Sequence, residues 1–503
     1  MLTTLVVTSL ADGPVAADGQ LTLREALQAA DTNTAVGDAA AGTGADRIIF
    51  DESLAGGTIT LGSALEITGS NGAIAIDGGA GTITIEGSGS DRLLDIATDD
   101  ATILRNLSLQ GGVADGAGGA IRETGTGALR VQDVLFSGNR STGSGGAVFS
   151  INGASLFDGI TADDNTTTGG DGGALYLRDG SSVVRNSLFT NNTGNNGGAI
   201  WASGGNFLVA DSRLGQVRDG VVFNGNAGEQ GGGLFFGGTA RAAVRSTALY
   251  DNTAATAGGG AFVAEGGRVL LAGPANTVGN TAGTLGGGLY NEGTAIVRDQ
   301  RLARNAAAGG GAVFNAGGRV LLDGGSVVDN VATVGNGGGV NSADGSIVLR
   351  DVDVTGNTAA NRGGGVYVSA GTGLVAGGTI SSNSAVNGGG LWNTTGRVLV
   401  DGVDILSNTA TGTLVDGSLT GGNGAGVWNG GRALLRGATI SENTAAGNGG
   451  GVLNLDRVAA LDTVIADNAA AAGGGVFNGP GGRLAERGST SITGNTPDDV
   501  ATA

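Results

Sequence analysis

The sequence predicts an all-β chain, a single parallel β-helix of three strands per coil and about 25 residues per period, opened by a short N-terminal capping helix. Two repeating columns and one rhythm predict it. A cluster of small residues followed by an aliphatic recurs from Gly118-Gly-Ala-Ile121 to Gly473-Gly-Gly-Val476; its third small residue falls at 120, 147, 174, 199, 233, 260, 288, 312, 339, 365, 390, 426, 451 and 475, and eleven of those thirteen steps are 24 to 28 residues. An asparagine closes each period, at 139, 165, 192, 226, 252, 280, 305, 330, 357, 383, 408, 443, 468 and 495. Between markers, three short β-prone runs are broken by Gly, Asn and Asp, as in Gly365-Val-Tyr-Val-Ser369, Gly373-Leu-Val-Ala376 and Thr379-Ile-Ser-Ser-Asn383. One such coil cannot bury its own apolar face, and stacking supplies the missing neighbour.

In chain order, residues 1–112 lack the marker and read as an N-terminal cap and irregular opening coils. Thr22-Leu-Arg-Glu25 is a capping box, and Leu23, Ala26, Leu27 and Ala30 give a helix over about 22–31 one apolar face. A first coil otherwise exposes core and unpaired edge, so this helix is a natural lid. Strand-like runs follow, from Arg47-Ile-Ile-Phe50 to Thr102-Ile-Leu104. Residues 113–503 read as regular coils of the same continuous solenoid. Two long steps, of 34 and 36 residues, mark insertions between Asp211 and Val221 and between Asn408 and Gly424.

Each column has a physical reading. The asparagines read as a structural ladder of stacked amides, at turns whose left-handed backbone Asn tolerates. The residue after each marker is aliphatic in all fourteen copies and is assigned to the core. Strand alternation then turns the next residue outward. That position is aromatic in eleven copies, Phe149, Tyr176, Trp201, Phe235, Phe262, Tyr290, Phe314, Tyr367, Trp392, Trp428 and Phe477, and otherwise Arg122, Asn341 or Leu453. Two readings of this stripe stand together: rings that stack and stiffen the sheet, or an apolar band offered to a sugar face or another protein. Whether copies associate through it is left open. Arginine forms a second column at the start of the second strand: Arg397, Arg432, Arg457 and Arg483 in consecutive coils, with Arg268 and Arg319 earlier. Like charges one strand spacing apart repel. Asp323 and Asp401 are expected to relieve Arg319 and Arg397; a solvated charge row or an acidic-glycan groove are the two uses of such a column.

Composition limits the chemistry. Of 503 residues 105 are Gly; there is no His or Cys, and all 26 basic residues are Arg. That excludes Ser-His triads, thiol nucleophiles, His- or Cys-ligated metals and Walker-type phosphate loops. No cofactor or metal is expected. A net charge of −19 argues against nucleic acid and anionic lipid as partners. With 40% hydrophobic and 14% charged residues the chain has enough apolar content to fold. No apolar run reaches the roughly 18 residues of a membrane span, and Met1–Gly13 has no basic start and no cleavage site, so a signal peptide is expected to be absent or already removed.

Leu21-Thr-Leu-Arg-Glu-Ala26, with Val6–Asp12 before it and Gly44–Phe50 after it, resembles the CSLREA-type opening of bacterial surface β-helix proteins, with Leu21-Thr22 in place of Cys-Ser. The repeats resemble the GGA[ILV] and FxxN motifs of polymorphic outer membrane proteins. Gly197-Gly-Ala-Ile200, Phe136-Ser-Gly-Asn139 and Phe189-Thr-Asn-Asn192 match in full, whereas most later copies carry Gly for Ala and an aliphatic for Phe. The resemblance implies a right-handed β-helix exported to the bacterial surface or medium, with adhesion or scaffolding as its role. The chain ends in a short acidic tail after Thr490–Asn495 rather than an autotransporter barrel, so neither its anchor nor membrane insertion is expected from this chain.

The function expected is therefore a non-enzymatic, adhesin-like rod binding a polysaccharide or surface protein along a repetitive face, where multivalent contact replaces a unique site. The alternative is a polysaccharide lyase or hydrolase of the pectate-lyase-like type, an analogy of fold. An enzyme needs a break in regularity with clustered carboxylates and a basic partner. The candidates are Asp211, Arg213, Arg218 and Asp219 in the first insertion, Asp416 in the second, and the acidic turn Asp163, Asp164 and Asp171.

Overall fold

The structure, a computed structural model, describes residues 2–218, 221–223, 225–415 and 418–503, without the side chains of 2, 216–218, 221–223, 414, 415, 418 and 419. The described chain is β-structure throughout, apart from one α-helix, Leu23–Thr32, and a single 3₁₀ turn, Glu52–Leu54. Strands pair with the equivalent strand one coil later, in parallel. In one representative coil Val366–Val368 pairs with Leu391–Asn393, Thr372–Ala376 with Arg397–Asp401, and Thr379–Ser381 with Asp404–Leu406. The predicted three-stranded parallel β-helix is the observed fold. A short fourth ladder follows the asparagine turn, as where Thr358–Arg362 pairs with Ser384–Asn387.

The chain divides into two compact units, Met1–Ala248 and Leu249–Ala503. Among the described residues the first holds seven successive first strands, Leu65–Ile67 to Leu234–Gly237, and the second holds ten, Ala261–Val263 to Val500–Thr502.

The first unit begins with strand Leu2–Val7 on Ala45–Phe50, and the helix lies between them in sequence. The helix packs on both strands and on Leu65–Ile67, burying Leu23, Ala26, Leu27, Ala29 and Ala30. Its capping box is complete. The Glu25 amide donates to Thr22 Oγ1 at 3.3 Å, and Glu25 Oε2 accepts from the Thr22 amide at 3.0 Å. Arg24 clamps the helix with a two-pronged contact to Asp12, 2.8 Å on each prong, and donates to the carbonyls of Ser63 and Ala64. The Leu21–Ala26 motif is thereby accounted for as the fastening of the cap.

In the regular coils the interior is set by alternation. In strand Arg397–Asp401, Val398 and Val400 are buried while residues 397, 399 and 401 face outward. The marker needs small residues because coils approach closely there. A Cβ at Gly260, Gly288 or Gly339 would come within 2.6–2.7 Å of the next coil's marker carbonyl, so these copies carry Gly.

Candidate binding face

Arg397, Arg432, Arg457 and Arg483 are register partners in four successive strands of the second unit. All four are exposed. Strand spacing puts their Cα atoms about 4.8 Å apart, well inside the Debye length, so their charges repel. The expected relief does not occur. Asp401 receives Arg436, with Nε at 2.7 Å from Oδ1, and Asp323 receives Arg298 at 3.2 Å and Arg350 at 3.6 Å. The reason is strand geometry: Arg397 and Asp401 are positions one and five of the same strand, about 13 Å apart at 3.3 Å per residue, so the carboxylate meets its neighbours in the position-five row instead. Among the described residues, none of the four arginines makes an ion pair or a side-chain hydrogen bond. Between the two rows runs an outward apolar row, Leu399, Leu434, Ala459 and Ala485, with Leu434 37% exposed.

The aromatic column is a stack. In the first unit Phe149, Tyr176, Trp201 and Phe235 follow one another at centroid distances of 4.9, 4.2 and 6.3 Å, with planes within 9°. In the second, Phe262, Tyr290 and Phe314 form one run at 4.7 and 5.6 Å, and Tyr367, Trp392 and Trp428 another at 6.5 and 3.6 Å. Asn341 separates these two runs, and Leu453 stands between Trp428 and Phe477. Ring faces are thus turned to neighbouring rings. Trp392 is 5% and Phe262 4% exposed, while Phe149, Trp201, Tyr290, Trp428 and Phe477 are half-buried. The turn before each marker closes over the rings. At φ near +65°, Gly310 and Gly424 would each place a Cβ 2.9 Å from the Cβ of Phe314 and Trp428.

The asparagine column is buried and continuous within each unit. Asn357 is typical: its Oδ1 accepts from the Asn330 amide (3.0 Å) and Nδ2 (2.9 Å), and its Nδ2 donates to Asn383 Oδ1 and to the Val327 carbonyl, both at 2.9 Å. Asp499 ends the ladder, accepting from Asn495 N and Nδ2 at 3.0 Å each. One expectation is corrected. The left-handed residue is the one before the asparagine, such as Asp164, Asn191, Asp329, Ser382 or Asp467. The asparagine is required for its two donors and two-fold acceptor, since a buried turn must pair every polar group.

Sequence reasoning missed a second inward column, at the third position of the first strand. Asn291, Asn315, Asn393, Asn429, Asn454 and Asn478 occupy it, and the amides of Asn393, Asn429 and Asn454 each donate to the next at 2.8–3.1 Å. Its signal was present, an asparagine two residues after the post-marker aliphatic. In the first unit the same position holds Glu123, 1% exposed, whose Oε2 accepts from Ser150 Oγ at 2.7 Å. Burial pushes this carboxyl up to about 7.

The remaining candidates disperse. The insertions contain antiparallel hairpins, Gln216–Arg218 on Val221–Phe223 and Thr413–Val415 on Ser418–Thr420. Asp211 is an exposed left-handed turn residue and Arg213 an exposed strand residue; Asp219, Asp416 and the Arg218 side chain lie outside what the structure describes. Asp163 Oδ1 is occupied by Thr190 Oγ1 and Asn191 Nδ2, both at 2.7 Å. Asp171 Oδ1 accepts from Asn196 N and Nδ2, and burial raises its carboxyl above the ordinary range. Among the described residues no three acidic groups converge on a metal-sized site. A cleft of about 500 Å³ is lined by Glu265, Tyr290, Glu292, Ala316 and Gly317. In it the Tyr290 phenol donates to Glu292 Oε1 at 3.1 Å, and burial together with that carboxylate pushes it up to about 12.

Comparison with known proteins adds three findings. No curated protein matches the chain. The A-module of the mannuronan C-5 epimerase AlgE6 of Azotobacter vinelandii is similar at 12% identity over 91% of this chain and 90% of that one, with a TM-score of 0.22, a likeness that carries no argument. Residues 133–151 and 186–203, which contain the two full FxxN copies Phe136–Asn139 and Phe189–Asn192, match the Chlamydia polymorphic membrane protein (Chlamydia_PMP) repeat.

Proposed function

We propose that this chain is a non-enzymatic β-solenoid, displayed at or released from a bacterial surface, that binds a glycan or protein partner along a repeated face. The observation that carries the reading is the arginine row: a side chain of one charge, in register over four coils, exposed and without a partner among the described residues. The other repeated columns have internal uses, the asparagines in buried ladders and the rings in stacks. A repeated outward charge without an internal partner suits multivalent contact. The match of two stretches to the polymorphic membrane protein repeat supports a surface location.

The test is size-exclusion chromatography with light scattering on the protein alone and with neutral polysaccharides, acidic polysaccharides and surface-protein extracts. Co-elution at unchanged polymer mass is expected. A fall in polymer mass overturns the non-enzymatic reading and directs attention to the insertion at 211–221.

A further inference from the structure

We infer that the row Arg397, Arg432, Arg457 and Arg483 is a binding track for a linear carboxylated polysaccharide that runs along the coil-stacking direction, one carboxylate to each coil. The inference rests on the reading of a repeated binding face and names the chemistry of its ligand.

Four observations carry it. First, the protein neutralises arginines elsewhere on the same sheet. Arg298 and Arg350 flank Asp323, and Arg436 meets Asp401. The means of pairing are therefore at hand, and the four arginines at the other strand end go without. Second, the guanidinium is suited to two-pronged recognition of a carboxylate, and all four occupy one strand position. Third, the step between them, about 4.8 Å, is of the order of one sugar residue, and the long arginine side chains can reach carboxylates on either flank of a chain whose successive sugars are turned about its axis. Fourth, the adjacent apolar row, with Leu399, Leu434 and Ala459, offers a flat surface to the less polar face of the sugar rings.

The net charge of −19 selects among polyanions. A thin chain can follow the single file of positive charge while its other side faces water. A duplex nucleic acid, broad and densely charged, would be brought against the surrounding carboxylates as well. The acidic cleft at Glu265 and Glu292 lies toward the other end of the unit's sequence, where the column holds Thr294, Ser346 and Thr372 between Arg268 and Arg319 or after them. The continuous track is thereby confined to the four coils from Arg397 to Arg483.

The experiment is titration calorimetry of the full chain with oligogalacturonates of one to eight residues, with neutral dextran oligomers and with single-stranded DNA as comparison probes. Affinity is expected to climb with oligogalacturonate length and level off near four to five residues. It is also expected to weaken roughly tenfold or more between 50 and 200 mM salt, as charge-neutralising contacts do. The double variant R432Q/R457Q should lose at least tenfold in affinity while its melting temperature holds, and R432K/R457K should recover part of that loss. Unchanged affinity in R432Q/R457Q, affinity independent of length, or tighter binding of DNA than of oligogalacturonate overturns the inference. If dextran binds and oligogalacturonate does not, the ligand class is wrong and the binding-face reading stands. If no probe binds, the inference falls, and the binding-face reading falls with it when the chromatographic test also finds no partner.

Discussion

Replacing Asn357 by Ala isolates what the buried asparagine ladder is worth. The side chain takes two hydrogen bonds from Asn330, through its amide at 3.0 Å and its Nδ2 at 2.9 Å, and its Nδ2 donates to Asn383 Oδ1 and the Val327 carbonyl, with a longer contact of 3.2 Å to the Thr355 carbonyl. Alanine leaves the Asn330 amide and one Asn330 Nδ2 hydrogen without an acceptor at a site with no solvent access. Asn383 Oδ1 is spared, because the Asn357 backbone amide still donates to it at 2.9 Å. Orphaned buried donors cost about 1–3 kcal/mol each, so the expected loss is about 3–5 kcal/mol, at the severe end for a point substitution. Equilibrium urea unfolding of wild type, Asn357→Ala and Thr358→Ala measures it. Thr358 is the exposed next residue, and its substitution should cost about 0.5 kcal/mol or less. The double variant with Asn383→Ala should be non-additive by about 1 kcal/mol or more, since the two side chains share a hydrogen bond. A loss from Asn357→Ala below about 1 kcal/mol, or strict additivity, would refute the claim that the ladder is a coupled, dry network.

Two further outcomes are expected. Glu123 has a folded-state carboxyl raised by burial from 4.5 to about 7, so it holds its proton in the folded chain after losing it in the unfolded one. Its contribution is fully present below about pH 4.5, and stability declines as pH rises to about 7, by up to about 3 kcal/mol at 1.36 kcal/mol per unit. Glu123→Gln should remove that slope from the urea midpoint measured against pH, and an unchanged slope would show that Glu123 is not its source. Trp392→Ala removes a ring 5% exposed and 3.6 Å from Trp428, and should cost about 3 kcal/mol in urea unfolding; retained stability with weakened ligand binding would restore the stripe as a partner surface.

The candidate site was partly legible in advance. Spacing alone placed the aromatic and arginine columns, because a solenoid converts sequence period into spatial row and alternation assigns the face. The burial of the rings was not legible. It depends on glycines such as Gly310 and Gly424 carrying the chain back over the column, a tertiary approach that no single coil encodes. The pairing of Asp401 with Arg436 rather than Arg397 is not legible for a related reason: residues of one coil need not be neighbours, and positions one and five of a strand belong to different rows. The second asparagine column was visible as a recurring letter and became meaningful once its strand position proved inward.

What the sequence determined by itself is the repeating architecture, its capping helix and the residues that share each row. These follow from period and local chemistry, which each coil carries in full. What the tertiary structure decided is which rows are satisfied and which are not. The stacked rings, the ladders of Asn357 and Asn429 and the Asp323 and Asp401 ion pairs find their partners one coil away, while Arg397 to Arg483 find none among the described residues. Satisfaction is a property of distances between coils, and only the assembled stack sets those.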